Sequence, residues 1–218
     1  MGREEQTATG PSAAAAEAMR LKIRCPACAC RYAVIGAAFF CPSCGYNSAE
    51  LMFSQSIAAI RSALDALSVI RAAISDRDTA ETTVRLVIEN GLQSEVTTFQ
   101  RYAEALYARR PSAPAARRNA FQNLSEGSEL WRLAFGKEYS DHLGSGGLGV
   151  LTRIFQQRHL LAHRQGLVDE DYIKRSGDTS YRIGQRLVVR EAAVREGLAL
   201  VEKLAAGIAD DGCGAARL

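Results

Sequence analysis

Apolar residues recur at helical spacing along most of this chain. Between residues 48 and 74 they fall every three or four positions, and the same spacing returns over residues 79–108, about 120–135, 150–165 and 191–208. Gly136 and Gly166 follow two of these stretches, where glycine commonly ends a helix. The pattern predicts four or five amphipathic helices. The glycine-rich stretch "LGSGGLG", before the fourth of them, predicts a flexible turn.

The other parts of the chain lack this periodicity. Residues 21–47 predict a small β-rich module with two tight turns, and the polar segment before the last helix ends in a short β-like run, Arg186 to Val189. The predicted organisation is a flexible tail over residues 1–20, the small module over 21–47, a helical bundle over 48–210 and a second tail over 211–218. The fold class is therefore mainly α, with a four- to five-helix bundle behind an N-terminal β module.

Composition narrows the class of protein only slightly. Of the 218 residues, 47% are hydrophobic and 23% are charged, which are ordinary globular values. The formal charge of +3 permits a nucleic-acid partner without requiring one. We find no secretory signal and no apolar run long enough to cross a bilayer, so the expected location is the cytoplasm, without a membrane partner. Cysteines in that compartment stay reduced and, when clustered, favour metal binding over disulfides.

Two C-x-x-C turns within the small module predict a metal site. They are Cys25-Pro-Ala-Cys28 and Cys41-Pro-Ser-Cys44, and each turn can direct two thiolates at one ion. Four thiolates in a tetrahedron favour Zn²⁺ and leave no open coordination position, so we expect a structural zinc whose binding folds this short segment. The module is thus predicted to be a zinc ribbon. Cys30 could replace Cys28 as a ligand, and Cys213 is expected to be a bystander.

The second candidate site is the helix that carries "QQRHLLAHRQG". Arg158 falls within an apolar stripe formed by Leu151, Ile154, Leu161 and Ala162, so it is expected to face a partner or an interface. His159 and His163 are four residues apart and share the neighbouring edge. The pair could chelate a metal, but the zinc-protease pattern needs a glutamate after the first histidine, and a leucine stands there. Without metal, imidazoles can exchange protons with ribose and leaving-group oxygens, and a guanidinium can hold phosphate.

The run from Arg158 to His163 resembles the R-x4–6-H signature of the HEPN family, and His159 fits the polar residue that often follows the arginine. This resemblance implies an HEPN-like helical bundle that acts as a metal-independent endoribonuclease in a toxin–antitoxin or phage-defence setting. It implies that Arg158 and His163 are the catalytic pair, with His159 assisting. It also implies a homodimer that unites two motifs in one cleft, and an antitoxin or another protein as a possible partner.

Further basic residues are candidates for contact with RNA. Four arginines surround a proline-containing loop, and one precedes the final β-like run: Arg109, Arg110, Arg117, Arg118 and Arg182. The alternative to catalysis is a non-catalytic protein in which the ribbon and these loops bind nucleic acid or a protein, and the bundle supplies dimerisation. In a third interpretation, the chain is a helical scaffold that binds neither.

Overall fold

The computed structural model describes residues 20–35, 40–46 and 48–214 of the chain. The chain divides into two compact units, Met1–Ser48 and Ala49–Leu218. The described part is mainly helical, with a small two-stranded antiparallel sheet near the N-terminus. The predicted class, mainly α with a short β module, is confirmed at this level. Most of the predicted N-terminal tail, and residues 215–218 of the C-terminal one, lie outside the described residues.

The N-terminal unit is built on a β-hairpin. Strand β1 (Arg20–Arg24) pairs antiparallel with strand β2 (Arg31–Ile35), and Arg24 lies directly opposite Arg31 at the end of the ladder. The segment that joins the strands contains the first C-x-x-C turn, and the second turn follows β2. The hairpin therefore presents one cysteine pair at its closed end.

The larger unit is a bundle of α-helices. Its helices are α1 (Ala49–Asp65), α2 (Leu67–Ala73), α3 (Arg77–Tyr107), α4 (Leu124–Phe135), α5 (Tyr139–His163), α6 (Glu170–Ser176) and α7 (Glu191–Gly214). Side chains cap the N-termini of several of these helices. At the start of α3, for example, the Asp76 carboxylate accepts a hydrogen bond from the Thr79 N–H at 2.8 Å. At the end of α4, Gly136 takes a left-handed conformation with φ of 78°, as predicted.

The core of this unit surrounds α3, which packs against both α1 and α7, while α5 also packs against α7. Buried side chains follow one another along α3 at helical spacing, including Val84, Ile88, Leu92, Val96 and Phe99. Gly91 does not interrupt the helix, contrary to its usual effect. A Cβ there would lie 3.4 Å from a Val194 methyl and 3.5 Å from an Ile60 methyl, so glycine permits close contact with both neighbouring helices.

The prediction of a flexible turn over residues 143–149 is wrong. This stretch is helical, and α5 begins already at Tyr139, with one kink at Gly144 where φ is 70° and ψ is 165°. A Cβ on Gly147 would lie 3.3 Å from both the Leu143 Cβ and a Leu200 methyl. The glycines therefore let α5 kink and approach α7 closely. Their clustering, which is typical of a flexible linker, is explained here by close packing of two helices.

Several predicted boundaries also differ. The first helix is divided into α1 and α2 at Ala66, and α5 ends at His163 because Gln165 and Gly166 have positive φ values of 53° and 75°. The polar segment that follows contains the short helix α6, and the β-like run is reduced to one bridge between Leu167 and Arg186. Helix α7 continues to Gly214, so residues 211–214 of the predicted tail are helical.

Candidate functional site

The four cysteines of the two C-x-x-C turns form one cluster. Their sulfur atoms all lie within 4.8 Å of one another, with Cys25 Sγ 3.7 Å from Cys44 Sγ and Cys28 Sγ 3.6 Å from Cys41 Sγ. Thiolates bound tetrahedrally at about 2.3 Å from an ion lie about 3.8 Å apart. The cluster therefore has the dimensions of a four-thiolate metal site and could hold a metal ion.

The first turn is closed by two backbone hydrogen bonds. The Cys25 N–H donates to the carbonyl of Cys30, and the Ala29 N–H donates to the carbonyl of Cys25, both at 2.9 Å. Ala29 is left-handed, with φ of 59°. This unusual conformation for a residue with a Cβ turns the chain back sharply after Cys28, so that both thiols point to the same side.

The second turn repeats this arrangement. The Cys41 N–H donates to the carbonyl of Tyr46 at 2.8 Å, and the Gly45 N–H donates to the carbonyl of Cys41 at 2.9 Å. Gly45 has φ of 73°, a left-handed conformation that glycine adopts without a steric penalty, and it turns the chain back after Cys44. In each turn the first cysteine, Cys25 or Cys41, is buried and the second, Cys28 or Cys44, is exposed.

The electrostatics of the cluster favour at least one thiolate. Desolvation raises the pKa of Cys41, but the backbone N–H groups of Cys44 and Ser43 donate to its sulfur and lower this pKa to about 6. The thiolate form, which binds metal, is therefore favoured at Cys41, while hydrogen bonds within the same cluster raise the pKa of Cys44 to about 12. The Cys30 sulfur lies outside the cluster, 3.8 Å from the carbonyl oxygen of Arg31, and the side chain of Cys213 is outside the described part of the chain.

The two predicted histidines lie side by side at the end of α5. His163 is the last residue of the helix and His159 lies one turn before it. Their ring centroids are 4.8 Å apart and the ring planes are inclined by 50°. Both side chains are exposed to solvent. Substrate-sized groups can therefore reach both imidazoles from the same side of the helix.

Arg158 lies where the apolar stripe of α5 leaves the core. Leu151 and Ile154 are buried as predicted, Arg158 is half-buried, and Ala162 at the end of the stripe is exposed, contrary to prediction. Across residues 20–35, 40–46 and 48–214, the buried Arg158 Nε has no hydrogen-bond partner and the side chain has no ion pair. The Nε of this guanidinium is thus held beside the core with its hydrogen-bonding capacity unused.

The surroundings of His159 favour the neutral imidazole. Partial burial is the largest cause that lowers the pKa of His159, followed by the electrostatic effects of His163, Arg175 and Arg158, while Asp169 acts in the opposite direction. A neutral imidazole can accept a proton at neutral pH. His159 therefore has the protonation state that a general base needs.

The segment after α5 folds back and supports the helix end. Leu160, on the side of α5 away from the core, packs with Val168 and Tyr172 in a second small apolar cluster. The Tyr172 hydroxyl donates a hydrogen bond of 2.6 Å to Asp178, and both residues are buried. Gln157, also buried, donates to the Tyr172 hydroxyl at 3.5 Å. This packing fixes the last turns of α5 and hence the Arg158–His163 segment.

The third histidine belongs to a different cluster. His142 Nε2 lies 2.8 Å from Asp211, which also accepts a hydrogen bond of 3.0 Å from the Trp131 indole and lies 2.9 Å from Lys137 Nζ. The Asp211 side chain is almost entirely buried, with 2% exposure. The network ties α4 and α5 to the last turn of α7. We therefore assign His142 a structural role.

Three of the five predicted RNA-binding arginines have partners within the helical unit. Arg109 binds Glu50, Arg117 binds Glu126, and the Arg110 guanidinium lies 5.6 Å from the centre of the Phe135 ring. Arg118 and Arg182 are exposed. These contacts leave less positive charge free on the loops than the sequence indicates.

The sequence reasoning overlooked the basic residues of the β-hairpin. Residues 20–48 contain Arg20, Lys22, Arg24 and Arg31 but no aspartate or glutamate. The first three alternate along β1, a period-two signal that was visible in the sequence. This surface is a further candidate site.

Comparison of the chain with models of protein families, with curated proteins and with solved structures returns no match. Among the described residues, the cysteine cluster is the only group of three or more histidine, cysteine or acidic side chains placed to hold a metal. Within the same residues, none of the helices combines the length and apolarity needed to cross a membrane.

Proposed function

We propose that this protein is a metal-independent endoribonuclease with an HEPN-like helical bundle. The observation that carries the proposal is the exposed pair His159 and His163 on the same last turns of α5 as Arg158, whose buried Nε has no partner among the described residues. Two imidazoles and a guanidinium are sufficient for the proton transfers and the charge stabilisation of phosphodiester cleavage. The implied setting is a cytoplasmic toxin–antitoxin or phage-defence system with a protein antitoxin.

The proposed reaction is an intramolecular transesterification. His159, in its neutral form, takes the proton of a ribose 2′-hydroxyl, and the resulting oxygen attacks the adjacent phosphorus. The bond from phosphorus to the 5′-oxygen breaks as His163, acting as the general acid, gives a proton to that oxygen. Arg158 binds the non-bridging phosphate oxygens and offsets their developing charge. The products are a 2′,3′-cyclic phosphate and a free 5′-hydroxyl.

The complete site requires two copies of the chain in this proposal. Along an α-helix, Arg158 and His163 are separated by about 140° around the axis, so they face different sides. A symmetric dimer in which the ends of two α5 helices meet brings the arginine of one copy near the histidines of the other. We therefore expect a homodimer in solution, measurable by light scattering during gel filtration.

We further propose that the cysteine cluster holds a structural zinc ion. Cys25, Cys28, Cys41 and Cys44 would supply all four ligands, and a closed tetrahedral set has no position for substrate. The ion would stabilise the small N-terminal unit, in whose described residues Cys25 and Cys41 are the only buried apolar side chains. The cleavage chemistry is assigned to α5 and uses no metal.

The test is cleavage of mixed RNA by the purified protein without added divalent ions. We expect Arg158→Ala and His163→Ala to lower the rate by roughly 10²-fold or more, the usual contribution of a general acid or of a charge-stabilising group. His159→Ala is expected to have a similar effect. The matched control is Arg77→Ala, which removes an exposed arginine from the start of α3.

Circular dichroism of each variant must match that of the wild type, so that lost activity is not lost structure. Equal cleavage by all variants, or no cleavage by the wild type, would exclude this function. The second candidate, a non-catalytic RNA-binding protein, is favoured by the acid-free basic hairpin. It predicts salt-sensitive RNA binding without turnover.

A further inference from the structure

The basic hairpin keeps a positive charge even when the cysteine cluster is occupied. Four thiolates and a divalent ion carry a formal charge of about −2. Residues 20–48 supply four basic side chains and no acidic ones, so a surplus of positive charge remains. The basic residues therefore exceed what neutralising the metal centre requires.

The arrangement of these charges is unfavourable without an anionic partner. Arg24 and Arg31 are directly opposite each other in the ladder, and Lys22 lies two residues before Arg24 on the same strand. Residues that are opposite or two apart share one face of a hairpin, and like charges opposite each other are destabilising. The face that carries Lys22, Arg24 and Arg31 thus concentrates positive charge that an extended polyanion would relieve.

Aromatic side chains accompany this charge. An open groove of about 550 Å³ is lined by Lys22, Arg24 and Arg31 together with the half-buried Tyr32 and its neighbours. In the same unit, the Phe40 side chain is 63% exposed, although an exposed phenylalanine is unfavourable in water. A polyanion that also carries flat apolar groups would satisfy both features.

We propose that this hairpin is a binding surface for single-stranded RNA. Lys22, Arg24 and Arg31 would contact successive phosphates, and a base would stack on the exposed ring of Phe40, the combination by which single strands are bound without sequence preference. The choice of RNA over other polyanions rests on the proposed ribonuclease function. The surface itself is independent of the Arg158–His163 segment.

Binding is tested with the full-length, zinc-loaded protein and a fluorescent 2′-O-methyl oligoribonucleotide, which lacks the attacking hydroxyl and cannot be cut. Fluorescence anisotropy at several salt concentrations gives the affinity and its salt dependence. The triple variant K22A/R24A/R31A is expected to bind at least tenfold more weakly at low salt. Because each lost phosphate contact on a single strand removes about 0.7 from the logarithmic salt slope, that slope should fall by about 2.

The matched control is R77A/R190A/K203A, which removes the same charge from exposed positions of the helical unit. It should retain both the affinity and the slope of the wild type. Phe40→Ala should weaken binding by roughly fivefold without a change of slope, because stacking is not ionic. Zinc content, measured by mass spectrometry, should be unchanged in all three variants.

Three results would overturn the proposal. The first is an equal loss of affinity in both triple variants, which would reflect net charge alone. The second is loss of zinc from K22A/R24A/R31A together with unchanged binding by Phe40→Ala, since the cations would then serve the metal centre. The third is displacement of the bound oligoribonucleotide by polyglutamate as effectively as by unlabelled RNA, which would indicate that the surface binds an acidic protein. The His163→Ala variant should bind the oligoribonucleotide with wild-type affinity, because the hairpin surface does not include the catalytic residues. If the wild-type protein binds RNA but does not cleave it, the proposed ribonuclease function is refuted and the proposed binding surface is not.

Discussion

Glu95 makes the stability of the helical unit depend on pH in a way that can be calculated. This residue of α3 has 0% exposure, and neither carboxyl oxygen has a hydrogen-bond partner in the described part of the chain. It faces α7 at Gly197, where an added Cβ would lie 2.5 Å from the Glu95 Oε1. Burial raises the pKa of Glu95 well above its ordinary value, and no charged neighbour opposes that effect. The folded protein therefore keeps this carboxyl neutral at pH values where an unfolded glutamate is already ionised.

The direction of the pH effect follows from proton binding. An unfolded glutamate has a pKa of about 4.3, so above this pH the unfolded chain releases a proton that the folded chain keeps. The free energy of unfolding then falls by about 1.4 kcal/mol for each pH unit, until the pH reaches the folded-state pKa. This contribution to stability is fully present below pH 4 and is lost as the pH rises.

Glu95→Gln isolates the contribution, because glutamine has nearly the same shape and cannot ionise. The difference in free energy of unfolding between this variant and the wild type should grow with pH, up to at most about 4 kcal/mol at pH 7 in favour of the variant. Urea unfolding followed by circular dichroism between pH 4 and 8 measures it. Glu196→Gln, at an exposed position beside Gly197, is the control and should give a flat difference. A flat difference for Glu95→Gln as well would refute the account of a buried, neutral carboxyl.

Other predictions test the packing and the metal centre. Gly146→Ala should raise the free energy of unfolding by roughly 0.5–1 kcal/mol in urea titrations, because Gly146 is helical and its Cβ position is open; no such gain is expected in a flexible turn. Gly207→Ala should lower it by about 1–3 kcal/mol, since a Cβ there would lie 2.4 Å from the His142 Nδ1. Cys44→Ser should lose stoichiometric zinc by mass spectrometry while Cys30→Ser retains it; the opposite result would mean that the wrong cysteines are assigned.

The helices could be predicted because their apolar spacing reports burial directly. The glycines of residues 143–149 could not be interpreted in the same way, because flexibility and close helix packing produce the same sequence pattern. Gly147 lies where α5 meets α7, and only tertiary structure places Leu200 against it. The cost of a buried charge is likewise not visible in sequence, so nothing distinguishes Glu95 from the other polar positions of the predicted helix over residues 79–108.

The two candidate sites differ in how far the sequence determines them. The cysteine cluster follows from local turn geometry, and the four predicted residues do come together. The arginine and histidine positions on α5 also follow from local spacing, which explains why His159 and His163 are adjacent. Arg109, Arg110 and Arg117 contact Glu50, Phe135 and Glu126, respectively. These pairings depend on the tertiary structure and could not be predicted from the spacing of residues in the sequence.

The most direct measurement of the proposed chemistry is the identity of the RNA ends after incubation without divalent metal. Mass spectrometry of the products distinguishes the two possible classes of cleavage. We predict 2′,3′-cyclic phosphates and 5′-hydroxyls with the wild-type protein, and roughly 10²-fold less of these products with His163→Ala over the same incubation. Intact RNA with the wild type, or products with 5′-phosphates, would contradict an Arg158–His163 ribonuclease.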